Sequence, residues 1–101
     1  MFLFTIIAEF RGGTYCSQVY SENVFSAQKD WVKCLERDKK EIKFLGDKII
    51  SEIILKLNDD DYKPIKLSNL NNIWCNSFST FKGVFNINIV MVTEMYSSHC
   101  D

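Results

Sequence analysis

Few structures accommodate the stretch Val84 to Val92, VFNINIVMV. In a strand, successive side chains point to opposite faces. Phe85, Ile87, Ile89 and Met91 then share one face, and Val84, Asn86, Asn88, Val90 and Val92 share the other. One face is oily throughout and the other carries two amides. That alternation suits an antiparallel sheet with helices against one side and the other side partly open.

The rest of the chain supplies the partners for such a strand. Phe2 to Phe10 is apolar on both faces, which predicts a central place in the sheet. Arg11-Gly12-Gly13 provides the positive-φ freedom of a tight hairpin, and Thr14 to Tyr20 is a second, more polar strand. From Ser21 to Asn58 the period becomes helical. Ser21 or Asn23 can cap, and Val24, Ala27, Trp31, Cys34 and Leu35 form one apolar stripe. A second stripe runs through Ile42, Leu45, Ile49, Ile53, Ile54 and Leu57, with Gly46 weakening it. One helix of that length would outrun a small sheet, so two helices with a break near Asp38 to Lys40 are expected. The helical region should stop before Asp59-Asp60-Asp61, because carboxylates oppose the dipole at a helix C-terminus. Pro64 keeps the following segment extended, and Asn69, Asn71 and Asn72 read as turn residues. Ile73 to Thr80 is a third strand, and Phe81-Lys82-Gly83 turns into the fourth, Val84 to Val92. The tail beyond Glu94 shows no pattern and is expected to be loose from about residue 96.

The expected fold is therefore α+β, a single domain over residues 1–101. It has one four-stranded antiparallel sheet in the sequence β-β-α-α-β-β, strand order 2-1-4-3, with the helices packed on one face. With 47% hydrophobic residues, the chain can bury enough surface to offset its ordering entropy, which excludes disorder. The formal net charge of −1 leaves none of the basic surplus of a dedicated nucleic-acid binder. The apolar start is broken by Glu9 and Arg11 and lacks a basic leader, so it does not read as a signal peptide, and no apolar run is long enough to span a membrane. A cytoplasmic protein is expected, with Cys16, Cys34, Cys75 and Cys100 as free thiols. They form no C-x-x-C pair, and no metal site or cofactor is assigned to them or to His99.

Three groups of residues could carry function. Glu9, Arg11 and Tyr15 lie around the first hairpin, where a carboxylate, a guanidinium and a phenol could bind an anion or move a proton. An exposed hairpin end with a cross-strand ion pair is the simpler explanation. Trp74 and Phe78 alternate with Ile73 and Cys75; if the latter face the helices, the aromatics share the open sheet face with Asn86 and Asn88. Aromatics among amides suit a protein contact or base stacking, whereas the opposite register makes Trp74 core. Asp59, Asp60 and Asp61 concentrate negative charge that could speed association with a basic partner. His99 beside Cys100 is too near a free end to be held as a catalytic pair.

The opening FTIIAEFRGGTYCSQVYSEN, the helix bearing Trp31 and the later NIWC at Asn72 to Cys75 resemble small bacterial immunity proteins of contact-dependent growth inhibition and other polymorphic toxin systems. The resemblance implies a non-enzymatic role, in which a cognate toxin domain is neutralised by covering its active site. It transfers no functional residue. The rivals are a nucleic-acid or regulatory module using the open sheet face, and a small enzyme using the first hairpin. An exposed edge strand could also pair two copies as a homodimer, although no residue specifies one.

Overall fold

A computed structural model of the chain describes residues 1–59 and 63–92. Asp60, Asp61, His99, Cys100 and the tail expected from residue 96 lie outside the described residues. The elements run β1 (Phe2–Phe10), β2 (Gly13–Ser21), α1 (Val24–Asp38), α2 (Gly46–Leu57), β3 (Ile65–Lys66), β4 (Ile73–Thr80) and β5 (Gly83–Val92). The strands make one antiparallel sheet in the order β2-β1-β5-β4-β3.

The fold is thus α+β with one antiparallel sheet and two helices. The expected order 2-1-4-3 corresponds to β2-β1-β5-β4, and both double-sided apolar strands are central. The four-stranded sheet is corrected to five. The additional β3 pairs Ile65 with Cys75 and Lys66 with Trp74. It is too short to show alternation in a sequence. Pro64 before it and Lys66 within it are both tolerated at an edge.

The β1–β2 connection is a two-residue loop, Arg11 (φ +48) and Gly12 (φ +84). Both central residues have positive φ, the twist that matches a right-handed strand pair. Asn69 and Asn72, also at positive φ, turn the chain between β3 and β4. Asn23 is the cap of α1: its extended backbone (φ −157) lets Oδ1 accept the Ser26 N–H at 2.9 Å. The other candidate cap, Ser21, instead donates its hydroxyl to Asp30 of the same helix. α1 ends at Asp38, inside the expected break. Ile42 and Leu45 are buried, but they lie in the connection before α2 rather than on it, because the helix restarts only at Gly46.

The core lies between the helices and one sheet face. Phe4, Ile6, Ala8 and Phe10 of β1 meet Phe85, Ile87 and Ile89 of β5, beneath Trp31, Leu35, Ile49 and Ile53. Phe85 is the hub of the aromatic packing, with its ring 4.4 Å from Phe10 and 5.6 Å from Trp31. Each of the fully buried phenylalanines contributes roughly 1.5–3 kcal/mol of burial. Two part-buried polar pairs tie α1 to the sheet: Asn76 of β4 donates to Gln28 at 2.7 Å, and Ser21 of β2 donates to Asp30.

Candidate functional site

The residues singled out from the sequence divide between the two faces of the sheet. Asn86 and Asn88 lie on the outer face, away from the helices. Asn86 accepts the Ser77 hydroxyl at 2.7 Å, and Asn88 sits half-buried between Ile7 and Cys75. Trp74 and Phe78 do not join them. With Phe81 and Lys82 as the loop, Thr80 faces Gly83, and stepping back brings Phe78 opposite Phe85 and Trp74 opposite Ile89. Both aromatics therefore point toward the helices. Phe78 is fully buried, its ring 6.1 Å from Trp31. The expected turn Phe81-Lys82-Gly83 has one residue too many, and a one-residue slip exchanges the two faces of a strand. Trp74 is half-buried and lines, with Phe2, Phe4, Met91, Glu22 and Lys66, an open cavity of about 430 Å³. Asp59 is exposed just beyond α2.

The hairpin trio is also separated. Glu9 pairs with Thr14 and Asn86 on the outer face, whereas Tyr15 pairs with Ala8 on the helix side. A Cβ on Gly13 would lie 2.7 Å from Cζ of Tyr15, so the phenol is folded over the glycine rather than toward Glu9. Cys16, Cys34 and Cys75 are free thiols. Among the described residues no three His, Cys, Asp or Glu side chains converge on a point that could hold a metal ion. No helix of the described residues is long and apolar enough to cross a membrane.

Among the described residues neither helix covers the outer face of the sheet. Opposed residues form rows across it: Gln18–Thr5–Val90–Ile73, then Cys16–Ile7–Asn88–Cys75–Ile65. Leu3, Ile7, Ile73 and Val90 are half-buried, and Tyr20, Val84, Val92 and Ile65 are exposed. Its polar groups are partly satisfied in place, with Gln18 donating to Thr5 at 3.0 Å. The two central rows mix Ile7, Val90 and Ile73 with Gln18, Thr5 and Asn88, the next row, Thr14–Glu9–Asn86–Ser77, is polar throughout, and the exposed Tyr20, Val84, Val92 and Ile65 lie toward the margins.

A second cluster was not legible in the sequence. At the end of the molecule bearing both hairpin loops, the Arg11 guanidinium stacks 4.2 Å from the centre of the Phe44 ring, and its Nη1 donates to the Lys82 carbonyl at 2.8 Å. Lys48 Nζ lies 4.3 Å from the centre of the Phe81 ring, and Lys82 Nζ 5.6 Å from it. Phe44 has φ +67, a left-handed conformation that costs a bulky side chain of order 1–3 kcal/mol. The only local hint was a phenylalanine immediately before Leu45-Gly46, off the apolar stripe of the helix.

Nearby ion pairs are exposed. Hydrogen bonding from Arg37 holds the Asp38 carboxyl below its ordinary value and raises the guanidinium in return, and the hydrogen bond to Asp47 raises Lys39. Comparison of the chain with protein-family models, with curated proteins and with solved structures finds no match.

Proposed function

We propose that the chain is a non-enzymatic protein-binding module that acts in the cytoplasm as an immunity protein, laying the outer face of its sheet over the active site of a cognate toxin domain. The observation that carries this reading is the outer sheet face, which neither helix covers among the described residues and which keeps Leu3, Ile7, Val90 and Ile73 half-buried. Burial of Ile7, Val90 and Ile73 against a partner would add hydrophobic stabilisation that the isolated chain forgoes. The separation of Glu9 from Tyr15 removes support for a proton-moving hairpin. The acidic balance of the chain favours a basic partner over nucleic acid.

The test uses tagged protein recovered from its native host. The expected result is a stoichiometric partner whose expression alone arrests growth and whose toxicity this chain suppresses. Tyr20→Glu and Val84→Glu alter exposed outer-face positions without touching the core, and together they should abolish suppression while leaving the circular dichroism spectrum unchanged. Suppression as strong as wild type would remove the sheet face from the interface. A partner that is not toxic would end the immunity reading.

A further inference from the structure

We infer that the cluster of Arg11, Phe44, Lys48, Phe81 and Lys82 is a separate contact site, and that it takes an acidic, partly apolar segment of another protein. The inference stands whether or not the sheet face binds a toxin.

Three distant pieces of chain build the cluster: the β1–β2 loop, the connection entering α2 together with the first turn of that helix, and the β4–β5 loop. The described residues are continuous on both sides of each piece. Residues 60–62 and 93–101 attach at the other ends of α2 and β5. Phe44 is 51% and Phe81 56% exposed, so the rings are held at the surface rather than tucked into the core. Phe44 keeps that position in a backbone conformation that disfavours phenylalanine.

Cations outnumber carboxylates around the rings, where Arg11, Lys48 and Lys82 meet the one carboxylate that reaches Phe81, Glu52. Arg11, Lys48 and Lys82 form no ion pair with a carboxylate among the described residues. Of the acids on α2, Asp47 is paired with Lys39 at 2.8 Å, and Glu52 accepts the Phe81 backbone N–H at 3.4 Å and keeps its charge. Arg11 is pre-positioned by its ring contact and its bond to the Lys82 carbonyl, and a guanidinium has donors to spare for a carboxylate. Arginine beside aromatic rings is the composition of interface anchors. A single-stranded nucleic acid is disfavoured by the cations lying over the faces of Phe44 and Phe81, which occupy surface where a base would stack. Carboxylates can meet the cations while apolar side chains meet the ring edges.

The probe is a short synthetic peptide alternating glutamate and leucine, titrated into the isotope-labelled full chain while amide resonances are followed. Saturable shifts are expected at Gly12, Phe44, Lys48, Phe81 and Lys82. Arg11→Gln, Lys48→Gln and Lys82→Gln combined should weaken the peptide about tenfold, as expected for loss of three exposed charge contacts. Phe44→Gly separates binding from folding. Glycine suits positive φ, so this variant should melt no lower than wild type and still bind more weakly. The proposal is overturned by an absence of saturable shifts at millimolar peptide. It is equally overturned by equal affinity for a control peptide in which glutamine replaces every glutamate, by tighter binding of a single-stranded oligonucleotide, or by the same shifts with inorganic phosphate.

Discussion

The two faces of the sheet are made by the same strands and obey opposite rules. On the helix side, Phe4, Ile6, Phe10, Phe78, Phe85, Ile87 and Ile89 are essentially sealed from water. Their neighbours on the outer side, such as Leu3, Ile7 and Val90, carry similar side chains but keep part of their surface wet. The difference shows that apolar character alone does not make a core residue. A second layer must cover it, and α1 and α2 cover only one side. The covered face is governed by volume and by the absence of unpaired polar groups. The open face is governed by cross-strand neighbours and tolerates Thr5, Gln18, Ser77 and Asn86 among its apolar residues.

The sharpest way to break this contrast is to place the same charge on adjacent residues of β5. Ile89→Asp buries an unpaired carboxylate and removes a fully buried side chain, a loss of roughly 4–5 kcal/mol or more. Set against a total stability of about 5–15 kcal/mol, this should abolish the near-ultraviolet signal and the dispersed amide spectrum. Val90→Asp lies on the outer face and should fold, losing roughly 1 kcal/mol in urea denaturation. A folded Ile89→Asp or an unfolded Val90→Asp would refute the assignment of faces.

A gentler pair on β1 sharpens it. Ile6→Thr and Ile7→Thr keep a β-branched residue and its methyl and replace the ethyl branch with a hydroxyl. Ile6 is sealed, so its substitution should cost about 2–3 kcal/mol. Ile7 should cost under about 1 kcal/mol, because its hydroxyl can reach water. Equal losses in the two urea midpoints would mean that something covers the outer face.

The smallest effect concerns the exposed charges at the hairpin end. The bond to Asp47 raises Lys39 above its ordinary value of 10.5. The pair therefore stabilises the fold below that value and stops doing so as pH rises through the raised folded value. Asp47→Asn should flatten this alkaline dependence, and the difference from wild type should vanish at high salt. Persistence of the difference at high salt would show that the pair is better shielded than its exposure indicates.

Much of the layered fold was legible from period and composition. The double-sided apolar character of Phe2 to Phe10 and Val84 to Val92 placed both strands centrally, and Trp31 belonged to the helical stripe. The site was less legible, for a reason confined to one loop. Alternation groups Trp74 with Phe78 and Asn86 with Asn88, but does not say which group of one strand shares a face with which group of the next. That depends on whether the β4–β5 loop has two residues or three, and Gly83, at φ +129, reads as a turn residue although it is the first residue of β5. The cation–ring cluster was illegible for a different reason. Arg11, Phe44 and Phe81 meet only after the sheet closes and the connection between the helices packs beneath its end.

Sequence alone determined which side chains of a strand travel together, where the chain changes from strand to helix, and that one dry face must exist. These are properties of a repeat of two or 3.6 residues, and every local segment carries them. Tertiary structure decided that Trp74 and Phe78 turn inward, that Ile65 and Lys66 add an edge, and that Arg11 lies against Phe44. Those outcomes rest on contacts between residues far apart in the chain, where a single added or removed loop residue reverses the result and no local pattern records it.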